Sequence, residues 1–118
     1  MALSISATRA YFEALRSLAF GSISGSYAAL GTKLLNPARI IKIVNTTDAD
    51  VLISVDGTAD HDIVPAGGFF LYDLTTNHAG NLQGFYFPQG TQFYVKQVSA
   101  PTSGSVYLTV VYGLALQP

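Results

Sequence analysis

Along most of this chain, apolar and polar positions alternate in short blocks punctuated by Gly and Pro, the texture of β-strands and turns. Residues 39–44 (RIIKIV) and 51–55 (VLISV) are β-branched runs of strand length. The polar stretch 46–50 between them predicts a hairpin. In the second run Val51, Ile53 and Val55 share one face, because side chains alternate along a strand. Asp56-Gly57 predicts a turn, residues 63–64 a short strand closed by Pro65-Ala66-Gly67-Gly68, and residues 69–74 (FFLYDL) the next strand. After a loop over 75–82 the rhythm repeats. Residues 85–87, 91–98 and 105–112 are strands, separated by Pro88-Gln89-Gly90 and Pro101-Thr102-Ser103-Gly104.

The first twenty residues break this rhythm. Tyr11, Ala14, Leu15, Leu18 and Ala19 fall at i, i+3, i+4, i+7 and i+8, which predicts a helix stopped by Gly21. A strand through Leu18, Phe20 and Ser22 is the competing reading. The expected architecture is therefore all-β: a compact antiparallel β-sandwich or jelly roll of about eight strands over residues 21–118, preceded by an N-terminal helix or arm over 1–20. Phe12 and Phe20 lie off the helical stripe of Tyr11, Leu15 and Leu18. A helix packed on its own domain would leave them uncovered, which predicts an arm acting between subunits.

Charge sharpens the picture. Between residues 74 and 118 the one charged side chain is Lys96, and charged residues make up 11% of the whole chain against a usual value near 25%. Gly and Pro cut that stretch too often for a membrane span. A water-soluble fold with so little surface charge hides surface against other protein, so an assembly subunit is the expected class. On the last strand Val106, Leu108, Val110 and Tyr112 suit a core. The opposite face, Tyr107, Thr109 and Val111, is half apolar too, and is covered either by the arm or by a neighbouring subunit. The interface candidates are Tyr11, Phe12, Leu15, Leu18, Phe20, Tyr94, Tyr107 and Val111.

Candidate chemistry is sparse. With no cysteine, disulfides, thiolate catalysis and cysteine-ligated metals are excluded. The net charge of −1 comes without a basic patch, so nucleic acid and acidic membranes are not expected partners. The loop Asp56-Gly-Thr-Ala-Asp60-His61-Asp62 gathers three carboxylates, but its spacing matches neither a calcium loop nor a zinc helix. It reads as a turn whose Asp side chains bond to local backbone and face water. His61 and His78 are the only histidines and Glu13 the only glutamate, and no nucleophile pattern accompanies them. No enzyme, cofactor or metal is expected. Asn45-Thr46-Thr47 matches a glycosylation acceptor, without a secretory signal to give it meaning.

The isoleucine-rich strand ending in Asn45-Thr46-Thr47, the ISVDG strand at 53–57, the Pro65-Ala66-Gly67 and Pro88-Gln89-Gly90-Thr91 turns, and the closing strand before Gly113 resemble small structural proteins of tailed bacteriophages. Capsid decoration, or cement, proteins are among these. The resemblance covers residues 38–113. It implies a β-sandwich or jelly roll that binds as a dimer or trimer over joints between major capsid proteins and stabilises the shell. Such a protein is made in the host cytoplasm and found in the virion. The apolar N-terminal segment departs from that pattern and admits a neck or fibre-base location. A carbohydrate- or receptor-binding β-module is the alternative, with Tyr72, Tyr86, Tyr94 and Tyr107 lining its site.

Overall fold

The computed structural model describes residues 8–74 and 86–115. Among these residues nine strands form two antiparallel sheets: β1 (Thr8–Phe12), β2 (Arg16–Ala19), β3 (Ala28–Ala29), β4 (Ala38–Asn45), β5 (Val51–Ser54), β6 (Asp62–Val64), β7 (Phe69–Asp73), β8 (Tyr94–Gln97) and β9 (Ser105–Ala115). The first sheet runs β1–β9–β4–β7, with β2 also on β9 beside β1. The second runs β3–β8–β5–β6. The loop predicted over 75–82 lies outside the described residues.

The pairing is nested. With β1 and β2 taken as one strand position, the first position pairs with the last, β3 with β8, β4 with β7 and β5 with β6, all antiparallel. Successive nested pairs fall in alternate sheets, and the β4–β9 and β5–β8 pairings complete each sheet. Only β5 and β6 are joined as neighbours in one sheet by the segment between them. The polar stretch 46–50 is therefore not a hairpin turn, as its composition predicted, but a corner that carries the chain from one sheet to the other.

That corner is built by Asn45, whose side chain is fully buried. Its Nδ2 donates to the carbonyls of Ala49, Val64 and Pro65 at 2.9, 3.1 and 3.2 Å, and its Oδ1 accepts from the Thr47 N–H and hydroxyl. A buried amide with both ends satisfied fixes the bend and ties it to the end of β6. The same burial puts Asn45 beyond reach of a glycosyl transferase in the folded chain.

The predicted N-terminal helix is not formed. The only helical piece among the described residues is the short 3-10 turn Phe20–Ser22. Residues 8–19 instead pair with β9, from Thr8↔Ala115 to Phe12↔Val111 and from Arg16↔Leu108 to Ala19↔Ser105. Three residues, Glu13, Ala14 and Leu15, thus stand opposite two, Thr109 and Val110, which is a β-bulge. The extra residue slips the in–out alternation by one. Tyr11, opposite Tyr112, and Leu18, opposite Val106, come to share a face although they are seven apart. That spacing is helical, and a bulged strand imitates it. Residues 8–19 complete the first sheet of their own chain rather than standing apart from it.

Both sheets contribute to one core. Ile41, Ile43, Val106, Leu108 and Val110 face Val51, Ile53, Val64 and Val95, with Leu30, Leu34 and Phe93 filling from the loops. Burying each such side chain is worth about 1.5–3 kcal/mol. At one end Phe87 meets Phe93 edge-on at 5.3 Å and Tyr72 at 6.2 Å. Val55 leaves the face expected of it. β5 ends at Ser54, whose Oγ accepts the N–H groups of Asp56 and Gly57 and turns Val55 outward.

Candidate docking face

Directly paired residues on adjacent strands share a face. In the first sheet Val106, Leu108 and Val110 of β9 point inward, so the alternate residues Tyr107, Thr109 and Val111 point out. Three rows cross this outer face. Phe12, Val111 and Ile40 lie side by side, with Asp73 next on β7. Thr109, Lys42 and Leu71 form the middle row. Ser17, Tyr107, Val44 and Phe69 form the third. Phe12 is 72% exposed, Phe69 62% and Leu71 55%, and Leu15 at the bulge is 62% exposed. Ile40, Val44, Tyr107 and Val111 are half-buried by their neighbours. An antiparallel sheet with a wet outer face carries polar residues there. This one is apolar on all four strand positions, with Lys42 at its centre.

The two explanations that the sequence left open for the Tyr107, Thr109 and Val111 face are thereby separated in part. Within the N-terminal segment, residues 8–12 and 16–19 pair edge-on with β9 rather than lying over the face.

The other interface candidates scatter. Tyr11 stacks on Tyr112 at 5.7 Å beyond the end of the core, and Leu18 packs inward against it. Phe20 is partly exposed in the 3-10 turn. Tyr94 lies on the outer face of the second sheet, against Gly57. Phe12, Leu15, Tyr107 and Val111 do come together. Ile40, Val44, Phe69 and Leu71 complete their surface and were missed. The signal for them was present: RIIKIV and FFLYDL are apolar in both phases of the alternation, as β9 is.

The outer face of the second sheet is different in kind. Lys96 sits 4.8 Å from the centre of the Tyr27 ring and 3.1 Å from Asp60 Oδ1, which also accepts the Tyr27 hydroxyl at 2.6 Å. Burial first, then the Asp60 bond and charge, push the Tyr27 phenol well above its ordinary range. The three carboxylates of the acidic loop diverge. Asp56 accepts the N–H groups of Thr58 and Ala59, which with Ser54 lower its pKa to about 2, and it lies 3.9 Å from His61. Asp60 serves Tyr27 and Lys96. Asp62 accepts a short hydrogen bond from Tyr72, a residue of the opposite sheet. The expectation of local turn bonds thus describes Asp56 fully and Asp62 in part, since Asp62 also accepts the Ile63 N–H. Asp60 and Asp62 hold other elements. Among the described residues no group of three His, Asp or Glu side chains is placed to hold a metal ion.

One buried ion pair stands at the bulge. Arg16 Nη2 donates to Glu13 Oε1 at 2.7 Å, and both side chains are almost wholly buried. Arg16 also donates to the carbonyls of Thr32 and Lys33, while Glu13 accepts from the N–H groups of Leu35 and Asn36 and from the Asn36 amide. Burial would raise the Glu13 pKa, but the bonds from Asn36 and Arg16 outweigh it and hold the carboxyl below its ordinary 4.5. These bonds tie the bulge to the 32–36 loop, with the chain's one glutamate as the clasp.

No protein-family model, no curated protein and no solved structure matches this chain.

Proposed function

We propose that the chain is a structural subunit of a virus particle, of the kind its resemblance to tailed-phage decoration proteins implies. It binds the shell and stabilises it by bridging neighbouring capsid subunits. The observation that carries this reading is the open apolar face of the first sheet. Large exposed apolar patches on folded domains mark contact with other protein, and Lys42 is the only charge in the interior of this one. A decoration subunit works by linkage: surface buried only in the assembled shell stabilises the assembled shell. We further read the sandwich as a jelly roll. The nested pairing of eight strand positions across two sheets supports it, and viral capsid and lectin domains use that architecture.

A glycan- or receptor-binding module is less well supported. The four tyrosines it would use are dispersed. Tyr72 packs inward on Phe70 and Phe87, while Tyr94 and Tyr107 lie on opposite outer faces. The test is density-gradient centrifugation of particles from cultures that produce the chain, probed with antibody to it, beside a glycan screen of the isolated protein. Co-banding with particles is expected. A chain that stays at the top of the gradient and binds a sugar would replace the structural reading with the recognition one.

A further inference from the structure

We infer that the open face of the first sheet is an isologous interface with a second copy of this chain, its two-fold running along the strands. The β1/β2 edge of one copy then covers β7 of the other. This deepens the assembly-subunit reading and rests on it.

Area is the first argument. At about 200 Å² for a full aromatic side chain, Phe12 and Phe69 alone leave about 270 Å² open. Leu15, Leu71 and the half-buried Ile40, Val44, Tyr107 and Val111 bring the face toward the roughly 800 Å² that each partner gives to a standard interface. It already exceeds the scattered single residues that need no explanation.

Charge is the second argument, and it selects the axis. Lys42 is exposed and forms no ion pair with another described residue. In a face-to-face pair whose two-fold lies along the strands, each strand position meets its mirror position across the sheet. β4 then opposes β9 and Leu15 opposes Leu71, Val111 opposes Ile40 and Tyr107 opposes Val44, with Phe12 over Asp73 and Phe69 over Ser17 at the margins. Lys42 faces the Thr109 hydroxyl of the second copy, an acceptor in the same row. A two-fold across the strands would instead stack β4 on β4 and set the two Lys42 ammonium groups against each other, and like charges opposed in an interface are unfavourable. In one orientation Lys42 meets a hydroxyl acceptor, and in the other it meets a like charge. Dimerisation this way leaves the Tyr27–Asp60–Lys96 faces of both copies outward.

Sedimentation equilibrium of the full chain at low micromolar concentration tests this. Wild type should be a dimer. Leu71→Asp, which places a charge on an outward-facing position, should weaken it by about 100-fold, the loss typical of a central interface residue, while circular dichroism stays unchanged. If that variant fails to fold, hydrogen exchange of wild type at high and low concentration decides: protection confined to residues 12–15, 40–44, 69–73 and 107–111 at high concentration supports the interface. Because the chain has no cysteine, single cysteines probe the axis cleanly. Leu15→Cys and Leu71→Cys chains mixed together should cross-link with a short bismaleimide, and Leu15→Cys alone, which a two-fold across the strands would set against itself, should not cross-link to itself. A monomer throughout the concentration range, or a dimer indifferent to Leu71→Asp, overturns the proposal. A monomer that still co-bands with particles would assign the face to another virion protein and leave the assembly reading intact. A dimer absent from particles would do the reverse.

Discussion

At the scale of single residues, Gly104 shows how little room the sheet corners leave. It sits at φ +87°, and a Cβ there would lie 2.2 Å from the Thr46 carbonyl oxygen. The backbone approach is close because Thr46 donates its N–H to the Ser105 carbonyl and accepts the Ser105 N–H on its hydroxyl. Gly104→Ala meets a left-handed backbone costing about 1–3 kcal/mol and a backbone clash that no rotamer relieves. Urea denaturation should show at least that loss. An unchanged midpoint would mean that the corner moves freely. Gly104 was legible in the sequence as a turn residue, but Thr46, the residue it must clear, is distant in the chain.

Among elements, the edge strand of the first sheet decides most. Its bulge sends Phe12 outward and Leu18 inward, and it sets Glu13 and Arg16 where they clasp the 32–36 loop. Removing one partner of a buried pair costs about 3–5 kcal/mol, because the other is left charged and unpaired. Glu13→Ala should destabilise by that amount in chemical denaturation. Adding Arg16→Met to Glu13→Ala should recover part of it, since the stranded charge is then gone. If the single substitution costs no more than a surface change, the pair is not buried in solution. Nothing local predicts this clasp. The periodicity of residues 11–19 suggests a helix because a one-residue slip between two strands and seven-residue helical spacing leave the same mark. By contrast β4, β5 and β7 were legible to within a residue of their observed limits, and β8 and β9 in position though not in length, since alternating β-branched and aromatic runs have few other uses.

Across the whole molecule, acid should be the weak flank. Glu13, Asp48, Asp56 and Asp60 all have folded-state pKa values held below their ordinary ones: Glu13 by Asn36 and Arg16 against its burial, Asp48 by Thr102, Asp56 by the Ala59 and Thr58 amides, Asp60 by Tyr27 and Lys96. A depressed carboxylate contributes stability above its unfolded pKa and loses it as pH falls through the folded one. Stability should therefore be steady above about pH 5 and decline as pH falls toward 2, near which Asp56 protonates. Thermal melts by circular dichroism from pH 7 to pH 2.5 check the sign. A melting temperature that rises on acidification contradicts it.

The sequence by itself determined that this chain is built of strands, where most of them lie, which residues turn, and that its surface is poor in charge. These are local properties, set by side-chain branching, by alternation and by the dihedral freedom of Gly and Pro. Only the tertiary structure decided which turns join neighbours and which cross between sheets, since a polar five-residue stretch serves both and Asn45 selects by bonding to Val64 and Pro65. Only it decided the phase of the N-terminal strand, because the bulge is defined against β9, almost a hundred residues later. And only it left the apolar outer face open among the described residues: β4, β7 and β9 each show two apolar phases in sequence, but whether a second phase is covered depends on what lies over it, and residues 8–12 and 16–19 complete the sheet edge instead.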